Sequence, residues 1–248
     1  MRILYVVPGP MSRTGAGADE LRRRGSILRG WADEGTSVDI RDVERGPASI
    51  ESAWEEYLAV PATTETMLQA EREGYDACIL GCFGDPETDA CRELLTRTLV
   101  VGPGEAACHV AAMLGERFGI VTVTHSVVNP LRHLVARLGL AGRLAGIAVV
   151  ETPVLALARD PEETRSRAAA AGRRLVELEG ADTLVLGCMS MAFMELSPPL
   201  EAELAVPVVN PARAALKLAE ALVGMAVRHS KRAYPTPPKL APGPVQVG

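Results

Sequence analysis

Short, nearly continuous apolar runs recur along the chain, and between them lie longer stretches whose apolar positions return every three or four residues. The runs rich in Val, Ile and Leu predict strands at 3–7, 37–41, 77–81, 99–101, 118–123, 144–150, 183–187 and 207–209. The amphipathic or Ala-rich stretches predict helices at 18–34, 63–73, 89–95, 104–114, 129–138, 161–179 and 211–228. Strand and helix alternating in this way give an α/β fold with parallel sheets covered by helices on both faces. The strands lack polar–apolar alternation, as expected when both faces are buried.

The pattern also repeats. Asp76-Ala77-Cys78-Ile79-Leu80-Gly81-Cys82 aligns with Asp182-Thr183-Leu184-Val185-Leu186-Gly187-Cys188. In each copy an Asp precedes a four-residue apolar strand, and Gly-Cys stands where the strand ends. Two similar parallel-sheet α/β lobes follow; if these pseudo-symmetric lobes face each other, their equivalent strand ends meet across one cleft. Residues 1–103 plus 211–228 form the first lobe in this reading, and 104–210 the second. Residues 229–248 are Pro-rich and little apolar, which predicts a mobile tail or an arm laid across a neighbour.

Composition narrows the picture. Apolar residues make up 48% of the 248 but aromatic ones only 4%, so the core must be built from Ala, Val, Leu and Ile. A net charge of −5 offers no basic field for nucleic acid, and Arg22-Arg23-Arg24, the one short basic run, is expected on a solvated helix face. No apolar stretch nears the ~20 residues of a membrane span, and the first run is too short for a signal-peptide core. Five cysteines without a disulfide framework or zinc spacing predict free thiols in a cytoplasmic protein with no metal.

Parallel α/β sheets bind ligands at the carboxyl ends of their strands, where Cys82 and Cys188 both fall. Backbone N–H groups and a helix dipole there favour a thiolate. One thiol on each side of a shared ligand suits inversion of a stereocentre, which needs a base on one face and an acid on the other. The enolate formed would be held by backbone N–H donors, for which Phe83, Gly84, Met189 and Ser190 are placed in sequence. Nothing around the lysines suggests pyridoxal phosphate. Cys78 within a strand, and Cys91 and Cys108 within helices, are expected to be packing residues. Asp85 and Glu87 are expected to complement the dipole of the helix after Cys82. Thr124, His125 and Ser126 follow the first strand of the second lobe and are candidates for substrate contact or for helix capping, with His125 also able to tune the site's proton balance. Met189, Met191 and Met194 offer an apolar wall or ordinary packing. Gly102-Pro103-Gly104-Glu105 lacks phosphate-loop spacing and reads as an interlobe hinge.

The strings Gly81-Cys82-Phe83-Gly84-Asp85-Pro86, Val100-Val101-Gly102-Pro103-Gly104-Glu105-Ala106-Ala107 and Ala181-Asp182-Thr183-Leu184-Val185-Leu186-Gly187-Cys188-Met189 closely resemble the hydantoin racemase branch of the aspartate/glutamate racemase superfamily. The resemblance runs from the first strand to about Val223. It implies two lobes related by pseudo-twofold symmetry with an active site between them, racemisation without metal or pyridoxal phosphate, Cys82 and Cys188 as the acid/base pair on a small-molecule substrate, and a homo-oligomer. The chain departs from the family where an Asn-Pro-Asn-Thr/Ser segment normally follows the first strand. Here Pro8-Gly9-Pro10-Met11-Ser12 lacks both amides, so contacts near Pro8, Gly9 and Ser12 must come largely from backbone. A 5-substituted hydantoin or related ring is the expected substrate. The alternatives are a maleate-type cis–trans isomerase, an arylmalonate-type decarboxylase, and a non-enzymatic small-molecule-binding protein.

Overall fold

Each predicted strand becomes a strand in the computed structural model, which describes residues 1–14 and 17–240. The first sheet holds β1 (Arg2–Val7), β2 (Ser37–Asp42), β3 (Ala77–Leu80) and β4 (Leu99–Val101), all parallel in the order β2-β1-β3-β4. The second holds β5 (Phe118–Thr122), β6 (Leu144–Val149), β7 (Thr183–Leu186) and β8 (Val208–Val209), parallel in the order β6-β5-β7-β8. The matching orders make the sequence repeat a structural one. The helices are α1 (Gly17–Trp31), α2 (Ala53–Arg72), α3 (Thr88–Leu94), α4 (Pro103–Leu114), α5 (Val128–Arg137), α6 (Pro161–Glu177), α7 (Met189–Phe193), α8 (Ser197–Leu204) and α9 (Pro211–Gly224).

Alternate residues of β1 serve two cores. Leu4 and Val6 pack with Met67, Cys78, Leu80 and Cys91 beneath α2 and α3. Ile3, Tyr5 and Val7 join Ile79, Val101 and the apolar residues of the second lobe in one continuous core. The final helices of the two repeats cross over. α4 packs on β7 and β5, α9 packs on β3 and β4, and the two helices pack against each other.

The repeated acid before each Gly-Cys strand has a mechanical role. Asp76 accepts a hydrogen bond from the Arg2 N–H (2.7 Å), pinning the start of β1. Asp182 does the same for the entry to β5 through the N–H groups of Glu116 (2.8 Å) and Arg117. These bonds satisfy backbone donors at the strand entries and help fix the register of neighbouring strands.

Residues 229–240 touch the first lobe at several points. His229 Nε2 accepts the Val100 N–H (2.8 Å), Lys231 donates to the carbonyls of Arg92 and Glu93 (both 2.8 Å), and Arg92 stacks over Tyr234. Residues 241–248 of the expected tail lie outside the described residues. No helix among the described residues is long and apolar enough to cross a membrane.

Candidate active site

Glycine sets both cysteines where the strands end. A β-carbon on Gly81 would lie 2.5 Å from the Val6 carbonyl oxygen, and one on Gly187 would lie 2.6 Å from Ile120 Cγ2. Each strand end therefore presses against its central neighbour, β1 or β5, at a distance only glycine tolerates. The next residue, Cys82 or Cys188, is delivered to the rim of its sheet. Both rims open on one cavity of about 1170 Å³, and both cysteines line it. Cys78, Cys91 and Cys108 are fully buried away from it, and all five thiols are free.

The two surroundings differ chemically. Cys188 is the N-cap residue of α7, and the N–H groups of Ser190 and Met191 favour its thiolate. Arg24, itself buried, donates to the Ser190 hydroxyl (3.1 Å) and lies over the Phe193 ring. Burial pushes the Cys188 thiol up, those two N–H groups and Arg24 pull it back, and Glu51 opposes them. Cys82 is followed by a turn, not a helix, since α3 begins only at Thr88. One N–H, that of Gly84, supports its sulfur. Burial drives the Cys82 thiol well above its ordinary range, and Glu87, Glu56 and Asp85 add to the rise.

Glu87 stands at the N-cap of α3, as its place in the chain suggested, though its side chain makes no capping hydrogen bond; Asp85 serves a different helix. Asp85 is completely buried in a left-handed conformation (φ 51°) and caps α4 instead, accepting the N–H groups of Gly104 (3.2 Å) and Glu105 (2.6 Å). A β-carbon on Gly102 would lie 2.4 Å from this carboxyl. The Gly102–Glu105 segment is therefore a packed cradle for Asp85. Glu87 is equally buried, and neither of its carboxyl oxygens has a well-formed hydrogen bond. Burial pushes Asp85 and Glu87 each up to about 8.

Of the expected contact residues, Pro8, Gly9, Phe83, Gly84, Met189 and Ser190 line the cavity. Ser12 does not: it is exposed, and its N–H is committed to Asp42 (2.6 Å). Thr124, His125 and Ser126 also fall outside the lining. Their hydroxyls bond each other (2.9 Å), Ser126 bonds the Glu51 carbonyl, and exposed His125 faces Glu151 (3.6 Å). Met189 and Met194 form part of the cavity wall, whereas Met191 is wholly in the core.

The arginine run is the main revision. Arg22 is exposed and pairs with Asp19, but Arg23 and Arg24 line the cavity. Arg24 lies one turn before buried Leu28 on α1, an i,i+4 spacing that carried the signal for its inward face. Glu56 lines the cavity beside Cys82 and was missed because the start of α2 was missed. Glu51 crosses the cleft, its carboxylate accepting the Val154 N–H (3.0 Å) from the second lobe. Among the described residues no three or more His, Cys, Asp or Glu side chains form a group able to hold a metal.

Residues 13–219 match the family model described as Asp/Glu/Hydantoin racemase. The chain is 39% identical over 205 residues to a hydantoin racemase of Pseudomonas sp. (strain NS671), covering 82% of this chain and 81% of that protein. It is 37% identical over 198 residues to a hydantoin racemase of Paenarthrobacter aurescens, covering 79% and 83% respectively. The structure superposes on allantoin racemase from Klebsiella pneumoniae with a TM-score of 0.87 at 29% identity, covering 99% of this chain and 97% of that one. With its doubled strand-Gly-Cys unit opening on one cavity, the chain belongs to the Asp/Glu/hydantoin racemase family of isomerases.

Proposed function

We propose that the protein inverts a carbon next to a carbonyl in a 5-substituted hydantoin or related compound, by two-base proton transfer between Cys82 and Cys188. The observation that carries this reading is that these two thiols alone among five line the cavity, each at the same point of a repeated unit. One cysteine takes the α-proton as thiolate, the other returns a proton to the opposite face, and the reverse reaction exchanges their roles. The N–H groups of Gly84, Ser190 and Met191 and the Arg24 guanidinium supply positive potential around the sulfurs while charge develops on the substrate. Val127, Leu131, Val154, Leu155, Met189 and Met194 give the cavity an apolar wall suited to a hydrophobic ring substituent.

Proton NMR with polarimetry in deuterated water, on single enantiomers of several 5-substituted hydantoins and of aspartate and glutamate, tests the reading. Deuterium is expected at the α-carbon as rotation decays, for hydantoins and not for the amino acids. Cys82→Ser and Cys188→Ser should each lower racemisation by roughly 10²–10⁴-fold, the usual contribution of a positioned acid or base. Either variant racemising at the wild-type rate would remove that thiol from the mechanism.

A further inference from the structure

The fold is pseudo-symmetric, but the charge around its two thiols is not. On the Cys188 side stand two N–H groups, the Arg24 guanidinium on α1 and its partner Glu20 (2.8 Å), with Glu51 on the loop before α2. On the Cys82 side stand Glu56 from α2 and Asp85 and Glu87 from the loop after β3, with one N–H from Gly84. Glu105 from α4 and Arg137 from α5 act on Asp85 with opposite signs.

Within the acidic half, Glu56 differs from the other two. Asp85 is committed to capping α4, and Glu87 is sealed in the core away from the cavity lining. The Glu56 carboxyl faces the cavity and has no hydrogen bond or ion pair among the described residues. A β-carbon on Gly84 would lie 2.3 Å from Glu56 Oε1 and 3.8 Å from Cys82 Sγ, so carboxyl and sulfur flank one α-carbon. Burial raises the Glu56 carboxyl above its ordinary value, and its place in the first turn of α2, where free N–H groups favour negative charge, works against that rise. A carboxylate so close to a sulfur opposes a second negative charge there.

We propose that the pair is held in one resting protonation state, Cys188 as base and Cys82 as acid, and that Glu56 is the positioning residue that keeps the proton on Cys82. The proposal rests on the two-thiol reading above and adds a direction to it. The free enzyme is then poised to take a proton from the Cys188 side, and it must be reset by proton exchange before it can repeat the same half-reaction.

Iodoacetamide alkylation followed cysteine by cysteine by mass spectrometry, across pH, reads this without a substrate. The pH midpoint at Cys188 is expected below that at Cys82. Glu56→Gln should lower the Cys82 midpoint by about one unit, roughly a tenfold faster alkylation at fixed pH, and leave Cys188 unmoved. Glu56→Asp, which keeps the charge, should restore the wild-type order; a purely structural role would not separate the two variants. Equal or reversed wild-type midpoints, or a Glu56→Gln variant that moves both thiols or neither, would overturn the proposal. Ordered midpoints in an enzyme that exchanges no α-proton of any hydantoin would uphold the charge assignment and refute the reaction.

Discussion

Arg24 shows how one side chain changes role when a helix is placed. In the sequence it ends a basic triplet, the usual mark of a solvated face; in the structure it is buried with its guanidinium near Cys188, Tyr5 and Ser190. Its positive charge lowers the cost of the Cys188 thiolate, so removing it must raise the pH at which that thiolate forms. A base acting as thiolate gains activity as pH rises through its own ionisation. Arg24→Met should therefore displace the ascending limb of the pH–rate profile to higher pH, by about one unit, while Arg24→Lys leaves it near its wild-type place. The profile of kcat/KM for the free enzyme checks this. An unmoved limb would detach Arg24 from Cys188. The cysteines themselves were legible because each stands at the end of a repeated strand, but their inequivalence was not. It depends on Glu56, Asp85 and Arg24, which come from parts of the chain far from one or both sulfurs.

At the scale of elements, the strands were readable to within a residue or two because strands buried on both faces leave unbroken apolar runs. α2 was not. Its first half carries exposed Trp54, Tyr57 and Leu58 and an internal Pro61, which break the amphipathic period and hid ten residues of helix, Glu56 among them. The contacts of residues 229–234 with the first lobe were not legible for a different reason: they are polar contacts between distant segments, and no local pattern announces them. His229 is the centre of that attachment. Burial, with Arg92 beside it, lowers its imidazole to about 4, below the ordinary 6.5. The folded protein thus binds fewer protons than the unfolded chain between those values. The stability His229 contributes is intact above pH 6.5 and lost as pH falls toward 4. His229→Ala orphans the Val100 N–H and should cost about 1–3 kcal/mol at pH 7, with the difference from wild type narrowing toward pH 4.5. Urea unfolding at the two pH values measures it, and a difference independent of pH would show that the imidazole is not held neutral.

At the scale of the molecule, the exchange of α4 and α9 makes each sheet depend on chain from the other half. Trp31, at the end of α1, stacks on Phe193 of α7 at 6.3 Å, so the first lobe's aromatic packing also includes the second. The whole chain should therefore unfold as one unit. Tryptophan fluorescence, which reports Trp31 and Trp54 of the first half, should trace the same urea transition as far-ultraviolet circular dichroism, which reports all helices. Fragment 1–103 alone, lacking α9, should show no cooperative transition. Two separated transitions, or a stably folded fragment, would mean that the lobes are independent.

The same exchange bears on how the protein is made. A growing chain has all four strands of its first sheet once Val101 has left the ribosome, but the helix that covers β3 and β4 ends at Gly224. At about 5–20 residues per second, that sheet waits on the order of ten seconds with an apolar face uncovered. Synthesis, not chain collapse, then sets the time at which the first lobe closes, and a chaperone that shields Ile79 and Val101 during the interval would raise yield without altering the finished enzyme.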